Sequence, residues 1–396
     1  MTFNLKKIKF AIVVSHPIQH FCPQYVSFNE NPNIQLKVFF ASTLGFKKYT
    51  DVNFKQEISW GNLNLDKIDH IFLNGDEIIQ PDKNLDAPAL ESALDAFKPD
   101  ILITYGYFQK VQRRARSWAI KNKVKIAFVS DSELRHTRNK FKEIFKFPFL
   151  KFYFAKINYF LSVGNANEVF YENYGVSRKK ILRMHFPIDV KQYQESYLQK
   201  GILRKKIRDQ FAVNEAAIVL LVVGKLVSWK NQDHLIEAMC QLEKEGLILN
   251  LFILGSGEMQ VILQQKAAYL KISKVHFPGF VNIEDLPAHY AAADIYVHPA
   301  SIEPHSIAVS EAISMGCPII LSNKCGSFGE TDDVQEGKNG FVYEFGNIQQ
   351  LMKKIKILAQ DKNMREAFGS YSHCLSTRFQ KNAHYGIIEK LINLNN

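Results

Sequence analysis

The feature that most constrains this chain is a regular alternation of short, continuous apolar runs with longer helix-compatible stretches. In the first half the runs fall at residues 8–14, 36–40, 70–73, 101–104, 125–129, 160–163 and 181–184. A strand with one face in water alternates apolar and polar residues. A run that is apolar at nearly every position is expected where both faces are covered, as in a parallel sheet with helices on either side. A second series, at 217–223, 249–254, 275–277, 295–297 and 318–321, is interleaved with helix-like segments at 232–244, 284–292 and 307–315. Residues 187–201 between the two series are polar and read as a linker. A chain of 396 residues is too long for one ordinary core. The pattern therefore predicts an α/β protein of two doubly wound domains facing each other across a cleft. They are assigned to residues 1–190 and 201–375, with 376–396 as a helix packing back towards the first domain.

Charge and cysteine usage narrow the setting. The net charge of +11 is local, because fourteen basic residues face three acidic ones between Lys110 and Lys156, a surplus of eleven. The rest of the chain is balanced, so whatever the positive field attracts is met there. No apolar run approaches the roughly 20 residues that span a bilayer. The apolar run after Lys6 and Lys7 lacks a small-residue cleavage site and reads as a buried first strand rather than a signal peptide. Cys22, Cys240, Cys317, Cys325 and Cys374 form neither a CxxC pair nor a metal-ligand spacing, which predicts reduced thiols and a cytoplasmic location.

Ligands of open α/β sheets bind beyond the carboxyl ends of strands, and the tips here are polar. The first constellation is Glu303-Pro304-His305-Ser306-Ile307, which leads into a helix carrying Glu311. That helix is almost wholly apolar, so Glu311 either finds partners inside or shares a narrow solvent face with Ser310 and Ser314; burial without partners is costly. The helix start offers unpaired N–H groups suited to a phosphate. The second constellation, Gly224-Lys225 followed by Lys230, lies at a strand end just before a helix, where two lysines can converge on a diphosphate as point charges.

In order and spacing these elements resemble retaining glycosyltransferase family 4. The resemblance rests on Pro-x3-Glu-x7-Glu followed by Gly-x-Pro, on Gly224, Lys225 and Lys230, on Gly255-Ser256-Gly257-Glu258, on Gly279-Phe280-Val281 and on Asn339-Gly340-Phe341. It implies the GT-B fold, with two Rossmann-like domains: an acceptor-side amino-terminal one and a donor-binding carboxyl-terminal one. It also implies that Glu311 binds the donor ribose and that Glu303 contacts the transferred sugar as a catalytic residue. Lys225 and Lys230 would neutralise the diphosphate beside the backbone of His305, Ser306 and Ile307, and Gly279, Phe280 and Val281 would hold the base. Pro304-His305-Ser306 departs from the family's Gly-aromatic-Gly, and Lys225 from its commoner arginine. No metal or other cofactor is implied.

In the amino-terminal half, Ser15-His16-Pro17-Ile18-Gln19-His20-Phe21 resembles a subset of these enzymes associated with cell-surface polysaccharides, without the usual glycine-rich first loop. His16 is expected either in the cleft or satisfying its own turn, and Asp131 stands at a strand tip as a further catalytic candidate. The stretch 139–154 interleaves lysine with phenylalanine. Lys140, Lys142, Lys146, Phe145 and Phe149 suit a helix lying on an anionic bilayer, or else an aromatic stripe facing the core; Pro148 predicts two short helices. No nucleic-acid module accompanies it. The expected function is transfer of a sugar from a nucleotide diphosphate sugar, UDP favoured, to a glycan or lipid-linked acceptor at the inner membrane face. The alternatives are a GT-B nucleotide-sugar epimerase and a non-catalytic nucleotide-sugar-binding partner subunit.

Overall fold

The computed structural model describes residues 7–51, 56–58, 60–61, 63–135, 140–272 and 274–394. The strands in chain order are β1 (Ile8–Val14), β2 (Ile34–Phe40), β3 (Tyr49–Asp51), β4 (Gln56–Ile58), β5 (His70–Phe72), β6 (Ile101–Tyr105), β7 (Lys125–Ser130), β8 (Tyr159–Ser162) and β9 (Ile181–Arg183). They continue as β10 (Val219–Val223), β11 (Asn250–Leu254), β12 (Val275–Gly279), β13 (Ile295–His298), β14 (Ile319–Ser322) and β15 (Gly340–Tyr343). Two parallel sheets result, with orders β5-β2-β1-β6-β7-β8-β9 and β12-β11-β10-β13-β14-β15. The hairpin β3–β4 stands apart from both.

The apolar runs are continuous because each strand feeds two cores. In β1, Ala11 and Val13 face one cluster while Phe10, Ile12 and Val14 face the other. In β10, Val219 and Leu221 pack on one side and Leu220 and Val222 on the opposite one. Each sheet reverses its strand order once, between β1 and β6 in the first and between β10 and β13 in the second. At such a switch point neighbouring loops diverge to opposite faces and leave a crevice beyond the strand ends. Ser15, Gly106 and Asp131 border the first crevice; Gly224 and the segment after His298 border the second.

Two expectations change, and one strand was not foreseen. Residues 187–201 are not an extended linker, since a helix spans Val190–Leu198, capped by the Asp189 carboxylate on the Gln192 N–H at 3.2 Å. Its Tyr193 is buried in the second domain's core, so burial of that ring outweighs the segment's overall polarity. Pro148 does not split its segment; one helix runs Lys140–Ala155. Leu150, Tyr153 and Phe154 anchor its second half in the core, and Pro148 is exposed, where water can satisfy the carbonyl its missing N–H leaves open. The edge strand β15 was marked in the sequence only by Asn339-Gly340-Phe341.

The last helix, Lys381–Asn393, crosses back to the first domain. Ile387, Ile388 and Leu391 enter a core shared with β1 and the helix Cys22–Asn29. Lys125 and the Tyr159 hydroxyl both donate to the Leu394 carbonyl, at 2.9 and 2.8 Å. Ile307 packs against the cores of both domains and lies between them.

Candidate functional site

The donor side starts at the turn after β10. Gly224 (φ +154°) and the glycines of Gly255-Ser256-Gly257 let two loops meet at backbone distance. A Cβ on Gly255 would lie 1.9 Å from the Gly224 carbonyl oxygen, and one on Gly257 2.4 Å from that of Leu226. Only glycine fits there. The chain then makes a short 3-10 turn at Ser228–Lys230 and enters the helix Gln232–Lys244 through Asn231, whose φ is +51°. This turn aims Lys230 across to the loop after β13.

Lys230 forms an ion pair with the Glu303 Oε2. His298, the last residue of β13, donates from Nε2 to the same oxygen at 3.0 Å, and its Nδ1 lies 3.1 Å from the Tyr296 hydroxyl. The Tyr296 hydroxyl lies between the His298 Nδ1 and the Val223 carbonyl, 3.5 Å away. Burial pushes the Glu303 carboxyl up, but the His298 hydrogen bond and the Lys230 charge outweigh it and hold it at about 2. Glu303 is therefore a fixed anion at neutral pH. Lys230, expected at the diphosphate, pairs its ammonium with this carboxylate.

Glu311 has the opposite character. Ser310, Glu311 and Ser314 are all buried, so the solvent-face reading of that helix is corrected: only Ile307 and Ala308, at its start, are half-exposed. The Tyr290 hydroxyl donates to the Glu311 Oε2 at 2.8 Å, and Tyr193 stands within electrostatic reach of the same carboxyl. Burial raises the Glu311 carboxyl to about 7, against the effect of both tyrosines. Glu311 lines a small cavity with Gln19, His20, Asp189, Gln192, Ile283 and Ile307, drawn from both domains. Gly279 (φ +80°) ends β12 and presents Phe280, 41% exposed, beside the partly buried Val281.

The helix start is differently arranged from a simple phosphate cradle. Pro304 has no N–H, and the Ser306 N–H donates to the Ser327 Oγ at 2.8 Å. Gly326 closes the loop: its N–H donates to the Glu303 carbonyl at 2.8 Å, and a Cβ there would lie 1.7 Å from the Pro304 carbonyl oxygen.

Between the domains lies a cavity of about 630 Å³, lined by Ser15, His20, Tyr105, Tyr107, Phe108, Asp131 and Phe186 from the first domain and by His305 and Ile307 from the second. Asp131 follows β7 and opens onto this space. Burial raises its carboxyl, and the charges of Glu303 and Glu133 add to that, while His305 opposes it. The structure thus brings Asp131, His305 and Glu303 within electrostatic reach of one another. His16 is not among the lining residues. Its ring is buried, with Nδ1 2.8 Å from the Ser15 Oγ and the Trp60 ring 5.4 Å away, and burial lowers its imidazole to about 4. His20, one helical entry later, takes the cavity position expected for His16.

The segment 325–333 docks the domains. The Asn165 N–H donates to the Asp332 Oδ2 at 2.5 Å, Arg183 to the Thr331 carbonyl at 3.1 Å, and Arg135 to the Cys325 carbonyl at 3.2 Å. His305, Asp332 and Asp333 place ligand-type atoms within 4.8 Å of one another. Ser310 donates to the Asp333 Oδ2 at 2.7 Å and Arg378 lies 3.6 Å from its Oδ1. With those partners the group is an ion and hydrogen-bond network rather than a vacant cage.

On the helix Lys140–Ala155 the aromatic residues divide. Leu150, Tyr153 and Phe154 face the core, whereas Ile144, Phe145, Phe149 and Phe152 are exposed, Phe145 by 79%. Lys146 lies over the Phe170 ring, 5.6 Å from its centre. The side chains of Lys140 and Lys142 are outside those described. Tyr107 packs against Tyr153 at 6.3 Å, and the adjacent Phe108, 61% exposed, stands on the cavity rim. The exposed aromatic surface therefore adjoins the cavity mouth. Among the described residues no helix is long and apolar enough to cross a membrane.

Sequence reasoning located Glu303, Glu311, Lys230 and Asp131 but missed His298, Tyr290, Tyr193, His20 and Asp332. Of these, only His298 had a signal, as a histidine at a strand's end four residues before Ile302-Glu303.

Residues 204–373 match the family described as glycosyl transferases group 1. An uncharacterized glycosyltransferase of Haemophilus influenzae is 33% identical over 174 residues, 44% of this chain and 46% of its own length. A GDP-mannose-dependent alpha-(1-6)-phosphatidylinositol monomannoside mannosyltransferase of Mycolicibacterium smegmatis is 28% identical over 174 residues, 42% and 44% of the two chains. The chain thus spans less than half the length of these curated relatives. Among solved structures, Anabaena HepE in complex with UDP superimposes with a TM-score of 0.73 over 98% of this chain and 99% of its own, at 18% identity. WaaG, a glycosyltransferase involved in lipopolysaccharide biosynthesis, gives 0.62 over 95% and 98%, at 16% identity. The two-domain fold is GT-B.

Proposed function

We propose that the protein is a retaining glycosyltransferase that moves a hexosyl or N-acetylhexosaminyl group from a nucleotide diphosphate sugar to a glycan or lipid-linked acceptor in cell-surface polysaccharide synthesis. The observation that carries the reading is the Lys230–Glu303–His298 group beyond β10 and β13, facing Asp131 across the cleft with Glu311 two helical turns behind. A fixed carboxylate at Glu303 suits hydrogen bonds to sugar hydroxyls, and a carboxyl at Glu311 poised near neutrality can accept from ribose hydroxyls. Lys225, Lys230 and the helix start supply positive potential to the departing diphosphate. The acceptor hydroxyl attacks the anomeric carbon from the face that the diphosphate leaves, and the leaving phosphate oxygen takes its proton. No metal is required in this scheme.

UDP is the favoured nucleotide, supported by the HepE complexes with UDP and UDP-glucose; the GDP-mannose-dependent relatives make GDP the competitor. The exposed aromatic face of the helix Lys140–Ala155, beside the cavity mouth, supports a peripheral position on an anionic membrane surface, facing a lipid-linked acceptor. A thermal-shift panel of UDP-, GDP- and other nucleotide sugars tests the reading. One class should raise the melting temperature in the parent but not in Lys230→Ala; no shift with any of them would refute it.

A further inference from the structure

The family resemblance gives a role to the backbone of His305 but none to its side chain. Its Nε2 lies 3.3 Å from the Asp332 Oδ1 and 3.8 Å from the Asp333 Oδ2. The ring rests 5.3 Å from that of Phe186 and forms part of the cavity wall shared with Asp131. His305 is only 5% exposed, and its Nδ1 has no hydrogen-bond partner among the described residues. A buried polar atom of this kind is uncommon, because leaving it unpaired costs free energy.

Charge balance points to the protonated ring. Against burial, the His305 hydrogen bond and the charges around it hold Asp332 as an anion, whereas burial raises the Asp333 carboxyl. Arg378 bonds the Asp332 carbonyl and faces Asp333, while Arg183 is engaged by Glu168 at 2.7 Å. His185, 3.8 Å from the Asp333 Oδ1, is pushed far towards the neutral form by burial. Among the described residues no arginine is paired with the Asp332 carboxylate as Arg378 is with Asp333, and an imidazolium at His305, 3.3 Å from its Oδ1, complements it. Burial alone would lower the His305 imidazole; the Asp332 hydrogen bond and the Asp333 charge reverse that and raise it. An imidazolium carries two N–H donors. One faces Asp332, and the other is the unpartnered Nδ1–H.

The donor side has a matching deficit. Pro304 contributes no N–H, the Ser306 N–H is given to Ser327, and in the proposed reading Lys230 shares its ammonium between Glu303 and the diphosphate. We propose that His305 donates its Nδ1–H to an oxygen of the donor's terminal phosphate, with Asp332 as the positioning residue that sets its orientation. This rests on reading the cleft as a nucleotide-sugar site. During transfer the C1–O bond to the diphosphate breaks with its electron pair going to oxygen, and His305 stabilises that charge while keeping its own proton. The acceptor's proton goes to the leaving phosphate. Asp332 also accepts from the Asn165 N–H of the other domain, so docking of the domains and orientation of His305 share one carboxylate.

The test is calorimetric binding of UDP, GDP and ADP, and of the matching monophosphates, to the full chain from pH 5.5 to 9. The parent should lose diphosphate affinity as pH rises through the His305 titration. In His305→Gln that added pH dependence should vanish, with diphosphate affinity at pH 6 roughly tenfold lower and monophosphate affinity unchanged. Asp332→Asn should move the parent's fall to lower pH, with melting curves confirming that each variant is folded. Equal diphosphate affinity and equal pH dependence in His305→Gln overturn the inference alone, as does equal loss of mono- and diphosphate. Failure of the parent to bind any nucleotide overturns it together with the proposed function.

Discussion

Lys230 and Glu303, 73 residues apart in sequence, form an ion pair beyond the tips of two hydrogen-bonded strands, and His298 donates to the same carboxylate oxygen. Removing one partner of such a largely buried pair leaves the other charge uncompensated. Lys230→Ala should lower stability by about 2 kcal/mol and transfer at least about 100-fold. Glu303→Gln should cost activity similarly, yet the double variant should be more stable than the sum of the two. Denaturant unfolding of the three variants measures that coupling, and simple additivity would argue against the pair.

Glu311 predicts a pH signature. Its carboxyl stands at about 7 rather than the ordinary 4.5. Between those values the unfolded chain gives up a proton that the folded protein keeps, so stability falls as pH rises across the window. Below it the carboxyl is neutral in both states. Glu311→Gln keeps an acceptor for Tyr290 and removes the penalty, so it should match the parent at pH 4 and exceed it at pH 8 by on the order of 2 kcal/mol. Nucleotide affinity should drop in the same variant. A stability difference independent of pH would contradict the assignment.

Gly326 gives a steric prediction. A methyl group there would lie 1.7 Å from the Pro304 carbonyl oxygen, so Gly326→Ala must displace the loop that carries Glu303. The expected loss is about 2 kcal/mol or more, with transfer reduced beyond what the unfolded fraction explains. Wild-type kcat in this variant would show that the loop tolerates movement.

For membrane association, replacing Lys140, Lys142 and Lys146 with glutamine should weaken binding to vesicles rich in anionic lipid about 100-fold, taking about 1 kcal/mol for each basic residue. Phe145→Ser should weaken it further, and added salt should reduce binding in the parent. Sedimentation with neutral and anionic vesicles separates these effects; equal binding to both would remove the electrostatic component.

The fold was legible because buried parallel strands announce themselves as unbroken apolar runs, and twelve of the strands fell where those runs lay. The hairpin β3–β4 carries little apolar sequence, and the edge strand β15, Gly340–Tyr343, is apolar but only four residues long, so periodicity passed both by. The helix at Val190–Leu198 was hidden because its stripe is sparse: Tyr193 is fully buried, Val190 and Tyr197 only half so, and polar residues fill the rest. At the site, side chains offered by strand tips were visible as spacing: Glu303, Glu311, Lys230 and Asp131. Their partners were not, since Tyr193 and Tyr290 reach Glu311 from distant helices, and Asp332 reaches His305 from 27 residues away. Of the two readings open for His16, the structure shows the turn: its Nδ1 meets the Ser15 Oγ and its ring is buried against Trp60.

Sugar transfer with retention at this cleft is the activity on which the other expectations depend. It is tested most directly by incubating the full chain with the nucleotide sugar that stabilises it and a lipid extract, then reading product mass and anomeric configuration by mass spectrometry and NMR. The account predicts an acceptor heavier by one sugar, with the donor's anomeric configuration, and no such product from Lys230→Ala. Free or rearranged sugar formed without any acceptor, or an inverted linkage, would contradict it.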